Sequence, residues 1–226
     1  MKTNANTLEE RTSLAKIYLA DVREIAPYAP ELMAKISANY PDRARKILSF
    51  VREKDRLRSL AAGLLLEEAL GARKARAVLP GKYGKPSVEG GPHFNLSHSG
   101  DYVLLAVDDV PVGIDIERWT ERNCAALAAV SFHEDEFTED GRAFPAGPAG
   151  LAIEPWLFFD RWTLKESYVK MRGTGLSTDM KSFRVVIEGN AARVDGDPGV
   201  RLQLSHALEG YSIAVCSGPG GKPARA

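Results

Sequence analysis

The sequence predicts an α+β fold, and three observations predict it. Two long segments, residues 54–70 and 155–173, carry helical periodicity over several turns. Short apolar segments of strand type are grouped beside one another, at 93–98, 102–107 and 112–117 and again between 183 and 216. Each half of the chain therefore combines long helices with several strands, and no sequence repeat relates the two halves.

Taken in order, residues 1–12 are polar and without period, and Leu14–Val22 alternates as a strand does. Pro41–Phe50 and Lys54–Leu70 read as helices. The second is rich in Ala and Leu and stops at Gly71, a residue suited to the position just after a helix. Residues 80–92 (PGKYGKPSVEGGP) hold seven Gly and Pro, which predicts loop with one short strand. His93–His98 and Tyr102–Val107 form a hairpin around Ser99-Gly100-Asp101, and Val112–Glu117 is the next strand after a turn at Pro111. Glu121–Val130 and Phe132–Phe137 read as helical, the latter capped by Ser131. A linker rich in Gly, Pro and Ala spans Glu139–Ile153. Pro155 fits the first turn of a long helix that ends near Gly173. Phe183–Glu188, Arg201–Ser205 and Tyr211–Cys216 are the final strands, and the tail SGPGGKPARA has the composition of a disordered segment.

Among 226 residues, 30 Lys and Arg balance 30 Asp and Glu, which removes any bulk electrostatic case for nucleic acid or a membrane surface. Positive charge is local instead, in RARKILSFVREKDRLRS. Two well-separated cysteines without metal-ligating neighbours suit reduced thiols in a cytoplasmic protein, with Cys216 in an apolar strand. The N-terminus has no apolar stretch of signal type, and no apolar run approaches membrane-spanning length.

Chemistry concentrates in two clusters about fifty residues apart. In Gly113-Ile114-Asp115-Ile116-Glu117 the two carboxylates share one strand face, because side chains alternate. In WTLKESYVK, residues 162–170, Trp162, Glu166 and Lys170 form one helical stripe at four-residue steps. Three carboxylates with lysines beside them suit a hard divalent cation next to a phosphate. The bland readings are a surface strand for Asp115 and Glu117, and an ordinary helix ion pair for Glu166 and Lys170. Against the second, the remaining helix positions are apolar, so charges there should face a cleft or each other. In FNLSHSG, Ser97 and His98 are adjacent on a strand and point to opposite faces, which argues against a Ser–His nucleophile pair. RGTGLS lacks the Lys-Ser/Thr of a phosphate loop and reads as a helix terminus.

In this order, FNLSHSG, GIDIE and WTLKESYVKMRGTGLS resemble the motifs of the 4'-phosphopantetheinyl transferases, specifically the larger Sfp-type group. The resemblance runs from about Asp42 to about Phe183. It implies two similar α/β lobes related by a pseudo-twofold, 1–110 and 111–226, with the active site in the cleft between them. It implies Mg2+ held by Asp115, Glu117 and Glu166, and coenzyme A as co-substrate. Lys170 is implied at the phosphates with Lys165 assisting, and Glu166 or a metal-bound water as the base. Arg43, Lys46, Arg58, Ser59, Lys85, Ser97 and His98, with Asp115 and Lys170, are implied in coenzyme binding. Arg43 replaces a family lysine and Ser59 a family threonine.

The implied reaction moves 4'-phosphopantetheine to a serine of an apo acyl- or peptidyl-carrier protein and releases adenosine 3',5'-bisphosphate. The region of Phe132, Glu136 and Phe137 is where the family meets its carrier. A cytoplasmic monomer is implied, and the linker 139–153 is expected to order when the carrier binds. The rival readings are a Mg2+-dependent hydrolase of nucleotide pyrophosphates and a coenzyme- or carrier-binding module without catalysis.

Overall fold

In the computed structural model, residues 15–81, 83–121, 124–137, 155–189 and 191–219 are described. The expected linker 139–153, residues 1–12 and most of the C-terminal tail lie outside them. The described chain divides into two compact units between Asp109 and Val110.

In the first unit, β1 (Lys16–Asp21) pairs antiparallel with β5 (Tyr102–Asp108), which pairs with β4 (His93–Ser99), giving the order β1-β5-β4. The β4–β5 hairpin closes over Gly100-Asp101, with Ser99 opposite Tyr102. Gly100 takes φ 55°, the positive value that a two-residue hairpin turn demands. Between β1 and β4 run α1 (Val22–Ile25), a 3-10 turn (Ala26–Tyr28), α2 (Ala29–Asn39), α3 (Pro41–Ser49) and α4 (Glu53–Arg76). Two short strands, β2 (Leu79–Pro80) and β3 (Pro86–Ser87), pair with each other in the Gly- and Pro-rich segment. The core gathers Tyr18, Ile36, Ile47, Leu60, Leu66, Phe94 and Leu105.

Two features of this unit depart from the sequence reading. Helices α1 and α2 fill a stretch without an expected helix, because Pro27 and Pro30 look like breakers. Both sit in first turns, where a missing N–H costs nothing. Helix α4 is indeed broken at Gly71, at φ 76° and ψ 154°, but a further turn continues to Arg76. Arg76 holds that turn by donating to the Asn39 carbonyl and side chain, both at 3.2 Å, with its guanidinium 5.4 Å from the Tyr40 ring centre.

The second unit is a five-stranded antiparallel sheet in the order β6-β10-β9-β8-β7. Its strands are β6 (Val112–Arg118), β7 (Val185–Glu188), β8 (Ala191–Val194), β9 (Arg201–Ser205) and β10 (Tyr211–Ser217). Helix α6 (Pro155–Arg172) lies against β6 and β10. Its apolar side (Leu164, Tyr168, Met171) packs on Leu202, Leu204, Ala214 and Cys216. A second cluster joins α5 (Cys124–Ser131) and Phe132 to Phe158 and Phe159 of α6. Strand β8, four residues of mixed polarity, is absent from the sequence reading. The helix expected over Phe132–Phe137 is a 3-10 turn, Glu134–Phe137, and Ser131 does not cap it but ends α5. The N–H that needs a cap is that of His133, and the Glu136 carboxylate accepts it at 2.7 Å.

Among the described residues, no helix is long and apolar enough to cross a membrane.

Candidate active site

Strand alternation puts Gly113, Asp115 and Glu117 on one face of β6, and that face looks onto α6. A Cβ placed on Gly113 would meet the backbone of Ser167, Lys170 and Met171. Opposite Asp115 on β10 is the small Ala214, and opposite Glu117 is Ser212. Asp115 is buried, at 3 % exposure, and Glu117 half-buried. On α6, Trp162, Glu166 and Lys170 share a stripe of half-buried positions between buried neighbours. The Lys170 ammonium meets the Asp115 carboxylate directly. Glu166 stands in the field of the same group. Burial pushes its carboxyl pKa up, Asp115 and Glu117 push it further, and Lys170 opposes them. The ring of Trp162 stacks on Phe158 with centres 5.7 Å apart, which anchors the head of the stripe.

Lys165 goes elsewhere. One residue along a helix is a turn of about 100°, and that step takes its side chain away from Asp115 into full burial. Its ammonium donates to Glu136 at 2.7 Å and to the Phe183 carbonyl at 2.7 Å. Glu136, at 0 % exposure, also accepts the backbone N–H of Val185 at 2.7 Å and lies 3.5 Å from the Arg161 guanidinium. Burial lowers the Lys165 pKa to about 8 despite the carboxylate beside it. This buried triad of Glu136, Lys165 and Arg161 ties the 3-10 turn, α6 and β7 together.

Seven of the coenzyme-binding residues implied by the resemblance lie in the first unit, and the other two, Asp115 and Lys170, in the second. Ser97 is buried and His98 exposed, so the two do point to opposite faces of β4. Arg58 lies at the tip of the same hairpin and donates twice to the Gly100 carbonyl, at 2.6 and 3.1 Å, and once to Asp55 at 3.1 Å. Lys54 adds an ion pair to Asp101 at 2.6 Å. Helix α4 thus clamps the turn that follows His98, and Ser59 sits half-buried beside Arg58. Arg43 lies across α4 at Gly63, where an added Cβ would come within 2.9 Å of its Cδ. Burial lowers its pKa, with Tyr40 opposing the shift. Lys46 is exposed on α3, and Lys85 is half-buried just ahead of β3.

The donor set between β6 and α6 fits a hard divalent cation, because it is all carboxylate and Asp115 and Glu117 raise the proton affinity of Glu166. Among the described residues, no three His, Cys, Asp or Glu side chains are drawn together closely enough to form a ready ligand cluster. The coupling is electrostatic, and Lys170 is the cation that Asp115 meets. The roles of three residues escape the sequence reading: Gly113, Arg161, and Glu136, which is expected in the carrier-facing region but is fully buried. Gly113 had a signal, since glycine inside an apolar strand marks a close backbone approach. Glu136 had a weaker one, its three-residue spacing from His133.

Residues 111–216 match the model of the 4'-phosphopantetheinyl transferase superfamily. A 4'-phosphopantetheinyl transferase of Bacillus subtilis is 31% identical over 199 residues, covering 82% of this chain and 84% of the relative. The 4'-phosphopantetheinyl transferase gsp of Aneurinibacillus migulanus is 31% identical over 186 residues, 78% and 75% of the two chains. The 4'-phosphopantetheinyl transferase Sfp of Bacillus subtilis (strain 168) is 29% identical over 193 residues, 78% and 81%.

Proposed function

This chain belongs to the 4'-phosphopantetheinyl transferase family, and from that premise we propose that it carries 4'-phosphopantetheine from coenzyme A to a serine of an apo acyl- or peptidyl-carrier protein, with Mg2+. The serine oxygen forms a bond to the β-phosphorus of the coenzyme pyrophosphate. The bond from that phosphorus to the bridging oxygen breaks, and adenosine 3',5'-bisphosphate leaves with the bond's electron pair. Asp115, Glu117 and Glu166 would hold Mg2+, which when bound supplies charge neutralisation and polarisation at the pyrophosphate.

This chain's own groups do the rest. Lys170 neutralises charge on the phosphate being transferred. Glu166, whose proton affinity is raised by burial and by two carboxylates, takes the proton of the serine hydroxyl. Arg43, Lys46, Lys85 and His98 offer donors to the 3'-phosphate and the pyrophosphate. Arg58 holds the hairpin that presents Ser97 and His98, and Ser59 beside it offers a hydroxyl to the coenzyme. The carrier serine is the nucleophile, so no Ser–His pair is needed within the chain. We place it in the cytoplasm, in keeping with its two free thiols, and as a monomer.

The observation that carries the reading is that Lys170 on α6 pairs with Asp115 on β6 while Glu166 stands in the field of Asp115 and Glu117. The test is intact-protein mass spectrometry of an apo carrier incubated with the protein, coenzyme A and Mg2+. A gain of one phosphopantetheine arm, absent with a chelator or with Asp115→Ala, is expected. Phosphopantetheine released with no carrier present would overturn the reading in favour of pyrophosphate hydrolysis.

A further inference from the structure

We propose that Gly113 is a positioning residue of the transfer site: its missing side chain sets the separation of β6 and α6 at which Asp115 and Glu117 meet Glu166 and Lys170. The proposal rests on the reading of that site given above. A Cβ built at 113 would stand 2.0 Å from the Ser167 carbonyl oxygen, 2.4 Å from the Met171 backbone nitrogen and 3.0 Å from the Lys170 carbonyl carbon. All three are backbone atoms of α6, so no rotamer change can make room. Gly113 is not among the glycines of positive φ, so backbone conformation does not require it; space alone does. Glycine in a strand weakens it, and here it stands near the start of β6, the edge strand of the sheet that packs on α6, on the face that carries Asp115 and Glu117.

The geometry connects this contact to the chemistry. The helix residue whose carbonyl carbon approaches Gly113 is Lys170, and the ammonium of Lys170 reaches the carboxylate two residues along β6. Ordinary contact begins at 3.4 Å, so a methyl group at 113 forces α6 outward by roughly 1 Å or more. A shift of that size is enough to lose about 10²-fold in rate when it separates groups that must converge on one phosphate. If Gly113 served packing alone, Gly113→Ala would lose stability while its folded fraction kept full activity and cation affinity.

The experiment compares the wild-type chain with Gly113→Ala, Asp115→Glu and the double variant. Transfer is read by intact mass of an apo carrier at saturating coenzyme A. Divalent-cation binding is read with Mn2+ by electron paramagnetic resonance, and the folded fraction by circular dichroism. Gly113→Ala, while folded, is expected to slow transfer about 10²-fold and weaken Mn2+ about tenfold. Asp115→Glu alone, with no room for an extra methylene, weakens Mn2+ as well. The double variant, in which the longer side chain spans the widened gap, binds Mn2+ more tightly than either single variant.

Wild-type Mn2+ affinity and rate in folded Gly113→Ala would overturn the proposal, and so would purely additive losses in the double variant. Should Gly113→Ala not fold, Asp115→Glu decides: unchanged Mn2+ binding and transfer would show that the spacing tolerates an added methylene. A wild-type chain that binds Mn2+ but modifies no carrier defeats the transferase reading, while the Mn2+ cycle still judges Gly113.

Discussion

Glu136→Gln should destabilise the second unit by about 3–5 kcal/mol at pH 7, the loss expected when one partner of a buried ion pair is removed. Glu136 has four donors on two oxygens. One oxygen accepts His133 N–H and the Lys165 ammonium, each at 2.7 Å; the other accepts Val185 N–H at 2.7 Å and faces Arg161 at 3.5 Å. Glutamine keeps one acceptor oxygen and turns an NH2 group toward the remaining donors. Whichever way it is rotated, at least one buried donor pair faces another donor, and Lys165 and Arg161 lose their counter-charge. At about 2–4 °C per kcal/mol for a chain of this size, the melting temperature should fall by roughly 10 °C.

The loss should also depend on pH, and its sign follows from Lys165. Burial holds its folded pKa at about 8, below the ordinary 10.5. From about 8 to 10.5 the unfolded chain therefore holds the extra proton, and the Lys165 contribution to stability improves as pH rises through that window. The cost of keeping this ammonium charged in the fold is fully present below pH 8 and amounts to roughly 3 kcal/mol. Without Glu136 the folded pKa drops further, so the cost at low pH grows and its relief begins at lower pH. Urea titrations of wild type and variant at pH 6, 7 and 9 should show a stability gap that is widest at pH 6 and narrows by pH 9. The unmet Val185 and His133 N–H groups set what persists. A gap below about 1 kcal/mol at pH 7, or one that is flat across this range, would refute the reasoning.

Glu166→Gln removes a carboxylate that burial, Asp115 and Glu117 all disfavour, so its urea midpoint should rise slightly while carrier modification falls by about 10²-fold or more. Arg58→Lys keeps the charge but loses the paired donation to the Gly100 carbonyl; urea unfolding should show a loss of about 1–2 kcal/mol. In steady-state assays the same variant should raise KM for coenzyme A and leave kcat nearly unchanged. Asp160→Ala strips the acceptor shared by Ser212 Oγ at 2.5 Å and His206 Nε2 at 2.7 Å, costing about 1–3 kcal/mol. Because Trp119 Nε1 donates to Ser212 at 2.8 Å, a shift in tryptophan emission of the folded Asp160→Ala variant should accompany that loss.

Elements governed by local rules were legible in the residue order. The β4–β5 hairpin has a glycine where φ must be positive, and α6 is bounded by Pro155 and Gly173, so both fall within a residue or two of the positions read from sequence. The shared face of Asp115 and Glu117 follows from alternation alone. What escaped depends on tertiary contact. The last turn of α4 persists beyond Gly71 because Arg76 finds Asn39 and Tyr40, residues distant in sequence. Strand β8 is specified by its neighbours β7 and β9 rather than by its own four residues. Residue type favours Ser131 as the cap of the turn at Glu134, yet the carboxylate of Glu136 caps it from inside the turn.

Helix α6 shows why residue type alone could not apportion the charges in its motif. Arg161 and Lys165 lie four residues apart on one stripe, as do Trp162, Glu166 and Lys170 on the next. From composition, Lys165 and Lys170 are equally good phosphate ligands. Burial separates them. A cation at 0 % exposure must have its counter-charge within the protein, and Lys165 has one in Glu136. A cation still partly in solvent can exchange partners without that penalty, and Lys170 retains 28 % side-chain exposure while touching Asp115. The same logic separates the acids. Glu136 is saturated by donors and fixes structure, whereas Glu166 is raised in proton affinity by two neighbouring carboxylates and is open to a cation that would relieve them. On the function proposed above, the partly solvated stripe is the one that would meet the phosphate, while the buried stripe of Arg161 and Lys165 ties α6 to Glu136 and β7.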